Sequence, residues 1–245
     1  MKEIYRIKDE LFFHATWQDR SSRQKFKHSL IFPKNTYRPW LGDQEFLSVY
    51  EAIKEHTLVD QYRCFELWDL AQQMSGLEGA VVEVGVWRGG TAAILAKASG
   101  AESRVFLCDT FEGVVKASAD QDSVYKGGEH ADTSISLVES LLVSLGLSNC
   151  FILKGIFPEE TAHLLTESSV KICHIDVDVY QSAKDIFTWV WPRLIPGGVV
   201  IFDDFGFGAC EGITQLVNEI TSENPQIRRI YNINGHGILF KIGAG

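Results

Sequence analysis

At 245 residues, 45% apolar and 22% charged, the chain can bury one large core and has the composition of an ordinary soluble globular protein. Its net charge of −9 argues against nucleic acid as a partner, because phosphate neutralisation needs basic surface. No apolar run approaches the roughly 18 residues of a membrane span. The opening MKEIYRIKDELFFHATW has no apolar core followed by a small-residue cleavage site, so neither a membrane segment nor a signal peptide is expected.

Charge is uneven along the chain. Residues 1–40 hold nine Lys/Arg and four Asp/Glu; the rest holds 14 basic and 28 acidic residues. The basic arm (Arg20, Arg23, Lys25, Lys27) reads as a solvated terminus, so 1–45 is taken as an N-terminal extension and 46–245 as the main domain. Five scattered cysteines (Cys64, Cys108, Cys150, Cys173, Cys210) form no CxxC or Cys/His metal spacing. They read as buried free thiols, which points to a reducing, cytoplasmic setting and away from zinc.

Helices are expected over 44–57 and 59–75; in the second, Tyr62, Phe65, Leu67, Leu70 and Met74 approximate a buried stripe. From residue 80, apolar runs alternate with helical segments. The runs are 80–86, 104–109, 150–155, 170–176, 198–204, 227–233 and 237–242; the helical segments are 89–99, 134–145, 158–167, 180–191 and 209–223. Near-continuous apolar strands alternating with helices predict an α/β, Rossmann-like domain with a mostly parallel seven-stranded sheet covered on both faces. No helix separates the last two runs, so they should form an antiparallel hairpin at one edge. The polar, glycine-bearing stretch 112–133 fits neither period and is expected to be a lid.

Three strand ends carry chemistry. VVEVGVWRGGTA (81–92) is a strand, a glycine turn and a helix start, which aims backbone N–H groups at a ligand. Trp87 occupies the position where a dinucleotide fingerprint needs its second glycine, so NAD and FAD are disfavoured. Glu83 and Gly85 could face a cationic ligand closely approaching the turn; the alternative is a tight βα connection with incidental glycines. Asp109 ends the second run, roughly where an acid reaches ribose hydroxyls in nucleoside-binding folds, or where it could cap a helix.

The fourth and fifth runs end in HIDVD and FDD. Carboxyl ends of neighbouring strands face one crevice, so Asp176, Asp178, Asp203 and Asp204 should converge there. Four carboxylates without a cation would raise one another's pKa. A hard divalent ion, Mg²⁺ by default, would relieve that. His174, inside the strand, reads as a core histidine.

VEVGVWRGGTA, CDTFEG, KGIFPE, HIDVDVYQS, PGGVVIFDDFG and AC-x-G-I resemble, in the same order, the macrocin O-methyltransferase family, from about Thr57 to the C-terminus. The resemblance implies a class I methyltransferase that uses S-adenosylmethionine and Mg²⁺ to methylate hydroxyls on sugars of natural products, and that forms homo-oligomers. It implies Glu83 and Gly85 near the methionine part of the cofactor, Asp109 on the ribose, and Thr110, Gly155, Ile156 and Phe157 around the adenine. Thr57, Thr91 and Asp176 join the cofactor site. Asp176, Asp203 and Asp204 would ligate Mg²⁺, with Asp178 as general base, though the base could instead be Asp176. Val177 stands where the family often has glycine, and Ile156 where it often has tryptophan or tyrosine. Two other classes compete: a metal-dependent glycosyltransferase using Asp176-Val177-Asp178 as a D-x-D motif, and a binding protein that kept the fold. Trp17 and Trp40 are candidates for stacking on a carbohydrate; Trp189 and Trp191 read as packing.

Overall fold

The structure is a computed structural model that describes Phe26 and residues 36–243. Trp17 and the basic residues Arg20, Arg23, Lys25 and Lys27 lie outside the described residues. Two helices, α1 (Gln44–Ile53) and α2 (Gln61–Gln73), precede the sheet. Each starts at an aspartate whose side chain accepts backbone N–H groups of the first turn: Asp43 from Phe46, and Asp60 from Tyr62 and Arg63.

The strands are β1 (Ala80–Val84), β2 (Val105–Asp109), β3 (Cys150–Lys154), β4 (Val170–Ile175), β5 (Leu194–Phe202), β6 (Ile227–Tyr231) and β7 (Gly237–Lys241). Helices α3 (Gly90–Ala98), α4 (Ile135–Ser144), α5 (Tyr180–Val190) and α6 (Glu211–Glu223) connect them. Sheet order is β3-β2-β1-β4-β5-β7-β6, with β7 antiparallel to both neighbours. The expected edge hairpin is present, with its second strand inserted beside β5.

Alternate strand residues feed two cores. Val81, Leu107, Ile172 and Ile201 face α1–α4, while Val82, Phe106, Cys173 and Val200 face α5 and α6. Each buried Val, Leu or Ile contributes about 1.5–3 kcal/mol, so both faces, not one, carry the stability. Trp189 packs edge-on against Phe157 at 4.9 Å, and Trp191 stacks on Phe187 at 5.3 Å, as packing residues do. All five cysteines are free thiols.

One expected element is absent. The stretch 158–167 holds only a 3₁₀ turn, Ala162–Leu164. Leu165 enters the core while Leu164 stays 46% exposed, so its apolar residues do not share a helical face. Among the described residues no helix is long and apolar enough to cross a membrane.

Candidate active site

One cavity of about 210 Å³ opens at the carboxyl ends of β1, β2, β4 and β5. Of the residues singled out in the sequence, Thr57, Gly85, Thr91, Asp109, Thr110, Gly155, Ile156, Phe157, Asp176, Asp178, Asp203 and Asp204 all line it. Glu83 does not. It sits one residue before the end of β1, fully buried, and accepts a hydrogen bond from His174 Nδ1 at 2.9 Å. The reason is register: Glu83 is paired with His174 across β1 and β4, both on the face covered by α2. An acid on that face meets a histidine rather than a ligand.

Gly85 is at φ 91°, and a Cβ there would stand 1.7 Å from the Asp176 carbonyl oxygen. The close approach it permits is that of β4's own chain, whose Asp176 N–H donates to Val84 at 2.9 Å. Asp109 accepts from the N–H groups of Val86 (2.7 Å) and Trp87 (2.8 Å) through one oxygen and Phe111 (2.6 Å) through the other. It is neither a helix cap nor idle: it fixes the glycine turn while still lining the cavity, with a lone pair left on the oxygen that accepts from Phe111. Gly90 N–H donates to the His56 carbonyl at 3.0 Å, which brings the 56–59 stretch, and Thr57 with it, to the cavity wall.

The acids converge as their strand ends predict. Asp176, Asp203 and Asp204 each offer an oxygen within 4.8 Å of the others. Burial first, and then repulsion from Asp203, push Asp176 and Asp204 well above the usual carboxylate range. Asp203 goes the other way: burial opposes its charge, but nearby His174, the hydrogen bond with His236 and the Arg63 guanidinium hold it well below that range. Arg63 Nη1 pairs with Asp203 Oδ2, while its Nε is held by Asp60 at 2.9 Å. His174 is disfavoured as a cation by burial, yet the carboxylates of Asp203 and Glu83 raise it to about 10.

Asp178 lies beside this group. Its carboxyl is raised, chiefly by burial, and His130 Nε2 is 4.0 Å from one of its oxygens. Asp178 and Asp204 (φ 63° and 64°), Trp87 (48°) and His130 (61°) all adopt left-handed backbone conformations, and all four line the cavity. Strain of this kind costs about 1–3 kcal/mol per residue and clusters where geometry serves a ligand.

The 112–133 segment forms one wall through Gly113, Val114, Val115, Tyr125 and His130. It is tied at several points: Ser182 Oγ donates to the Val115 carbonyl (2.8 Å), Tyr180 N–H to Asp122 (3.0 Å), and Arg88 to Asp132 (2.5 Å). Sequence reasoning missed Arg63, His56, Tyr125, His130 and His236. A signal existed for Arg63, a charge within the buried stripe of α2; none existed for the others.

A profile of the macrocin O-methyltransferase family (TylF) matches residues 51–241. The chain is 31% identical over 200 residues to 8-demethyl-8-(2,3-dimethoxy-alpha-L-rhamnosyl)-tetracenomycin-C 4'-O-methyltransferase of Streptomyces olivaceus, covering 76% of this chain and 75% of that one. It is 27% identical to mycinamicin III 3''-O-methyltransferase of Micromonospora griseorubida, covering 77% and 79%. Among solved structures, the O-methyltransferase NovP superposes with a TM-score of 0.66 at 22% identity, covering 77% of this chain and 83% of that one. These relatives are methyl- and not glycosyltransferases, which overturns the D-x-D alternative for Asp176-Val177-Asp178. The chain belongs to the macrocin O-methyltransferase family and is an S-adenosylmethionine-dependent O-methyltransferase.

Proposed function

We propose that the enzyme methylates a hydroxyl of a sugar or polyhydroxylated small molecule with the help of Mg²⁺, and that Asp178 is the general base. One observation carries this: three carboxylates with ligand atoms within 4.8 Å of one another share a cavity with a fourth, strained carboxylate and the glycine turn. The donor set is all oxygen, as a hard cation requires. The raised carboxyls of Asp176 and Asp204 mark a place short of positive charge. These residues fit the ion, with Asp176, Asp203 and Asp204 as its holders. Bound there, Mg²⁺ would supply a lowered pKa for an acceptor hydroxyl.

The chain's own residues do the rest. Asp178 takes the hydroxyl proton as the acceptor oxygen gains the methyl group and the carbon–sulfur bond breaks, its electron pair remaining on sulfur. Glu83 apart, the cofactor residues line the cavity; in this reading Gly85, Thr91, Thr57 and Asp176 serve the methionine part, Asp109, through its grip on the turn, the ribose, and Thr110, Gly155, Ile156 and Phe157 the adenine. Positioning carbon and oxygen about 3 Å apart in line is the main contribution of such a scaffold. Tyr125 and His130 close the acceptor side and keep water from Asp178. A sugar-bearing acceptor is supported by the names of the two relatives, both of which are O-methyltransferases numbered on primed ring positions.

The test is transfer of labelled methyl from S-adenosylmethionine to a panel of deoxysugar-bearing macrolides and aromatic polyketides, with EDTA or with Mg²⁺. Labelled product that requires Mg²⁺ is expected. Equal labelling in EDTA would remove the metal from the mechanism, and labelling confined to non-glycosylated phenols would remove the sugar.

A further inference from the structure

Behind the acids, away from the cavity, two carboxylate–histidine pairs converge on a single side chain. His236 is fully buried between two acceptors: Glu66 Oε2 lies 2.7 Å from its Nδ1, and Asp203 Oδ1 lies 2.9 Å from its Nε2. The ring thus bridges the two carboxylates, one at each nitrogen. His174, held by Glu83, points Nε2 at the same Asp203 oxygen from 3.9 Å. On the other side Arg63 grips Asp203 Oδ2 and is itself clamped by Asp60. Among the described residues, Asp203 is the one of the three clustered aspartates gripped at both oxygens in this way.

The sources of these contacts are far apart in the chain. Glu66 is on α2, and Asn232 Nδ2 donates to its two oxygens at 2.8 and 2.9 Å. His236 is on the β6–β7 hairpin, and that hairpin is seated on the loop after β5: a Cβ on Gly235 would lie 2.2 Å from the Phe207 ring, and one on Gly237 3.2 Å from Phe205. The hairpin contributes nothing to the cavity wall, yet it delivers a donor to the back of Asp203.

We infer that Glu66 and His236 are positioning residues that orient Asp203 as a cation ligand, so that two side chains outside the cavity wall, one on α2 and one on the C-terminal hairpin, set the metal affinity of the site. This rests on the proposed Mg²⁺ site. Two of the roughly four lone-pair positions of the Asp203 carboxylate are taken by His236 and Arg63, which leaves two for a cation shared with Asp176 and Asp204, whose oxygens lie within 4.8 Å. Mg²⁺ demands near-ideal octahedral geometry, so a ligand fixed beforehand binds it better than one that must be ordered. Loss of such outer partners costs about 10–100-fold in metal affinity.

The probe is Mn²⁺, counted as free ion by electron paramagnetic resonance in the presence of S-adenosylhomocysteine, with melting temperature recorded for every variant. Glu66→Gln, at a half-buried position, is expected to weaken Mn²⁺ about 10-fold or more at an unchanged melting temperature and unchanged S-adenosylhomocysteine affinity. His236→Leu should weaken it further. His236→Gln, which can still donate one N–H to Asp203, should fall between wild type and His236→Leu. Wild-type Mn²⁺ affinity in folded Glu66→Gln and His236→Gln would overturn the inference. So would a transition metal retained by the purified wild type and lost in His236→Leu, since His236 would then be a ligand itself. Asp176→Asn separates this from the parent proposal: if it too binds Mn²⁺ normally, the metal site is wrong, whereas if it alone fails, only the positioning role is wrong.

Discussion

Replacing Gly85 by alanine perturbs the junction where fold and site meet. At φ 91° an alanine enters a region L-residues avoid, which costs about 1–3 kcal/mol. Its Cβ would also stand 1.7 Å from the Asp176 carbonyl oxygen and 2.6 Å from the carbonyl carbon. Backbone cannot rotate away as a side-chain tip can, so β4 must move, with an overpacking cost of about 1–3 kcal/mol. The sum, roughly 2–6 kcal/mol, is a large part of a typical stability of about 5–15 kcal/mol. At about 2–4 °C per kcal/mol for a chain of this size, the melting temperature should fall by roughly 10 °C. Gly76 is the control, because a Cβ there meets nothing within 4 Å. Its alanine variant should stay within about 0.5 kcal/mol of wild type. The assays are thermal denaturation by circular dichroism and calorimetric titration with S-adenosylhomocysteine. Because the displaced atom belongs to Asp176, cofactor affinity should drop along with stability. A Gly85→Ala protein that melts within 2 °C of wild type and binds S-adenosylhomocysteine normally would refute the reasoning.

Three further outcomes are expected. Asp178→Asn should keep S-adenosylhomocysteine binding while turnover falls about 10²–10⁴-fold, the usual contribution of a general base; near-normal turnover in the labelled-methyl assay would remove Asp178 from that role. Lys171 is a buried cation whose Nζ donates to the carbonyls of Ser75 (3.2 Å) and Leu77 (2.9 Å) and to Ser103 Oγ (3.0 Å), tying β4 to the turn after α2. Lys171→Met strands those carbonyls at about 1–3 kcal/mol each, so the urea midpoint should fall clearly, and an unchanged midpoint would contradict the tie. Burial pushes the Cys150 thiol up to about 12 and raises the other four thiols as well. A raised thiol pKa keeps the unreactive protonated form through the neutral and mildly alkaline range, so iodoacetamide at pH 8.5 should spare the native protein and label all five cysteines in urea; rapid native labelling would contradict that burial.

The strand order of chemistry was readable because a parallel sheet buries its strands on both faces, leaving near-continuous apolar runs in which an acid without a buried partner stands at the end. Asp176 and Asp203 are such acids, and consecutive strands usually lie side by side, as β4 and β5 do. The fate of Glu83 was not readable locally, since its partner His174 is 91 residues away. A faint clue existed: Glu83 stands two residues before Gly85 and His174 two before Asp176, the same height on two buried strands. The grip on Asp203 was less legible still, because it depends on α2 and a hairpin meeting across the sheet, and no local period encodes that. The misread helix at 158–167 has the opposite cause: helix-forming residues are present, but Leu164 and Leu165 point apart. The stretch 112–133 is irregular and walls the cavity, yet its ties to α5, the Ser182 hydroxyl on the Val115 carbonyl and the Tyr180 N–H on the Asp122 carboxylate, are single long-range contacts that composition does not reveal.

In the proposed mechanism Asp176, Asp203 and Asp204 hold a divalent ion next to Asp178. Anomalous diffraction from a crystal grown with S-adenosylhomocysteine and Mn²⁺ tests it most directly. One strong peak is expected in the cavity, about 2 Å from an oxygen of each of the three aspartates. No peak there in a crystal that holds S-adenosylhomocysteine, or a peak only elsewhere on the protein, would contradict it.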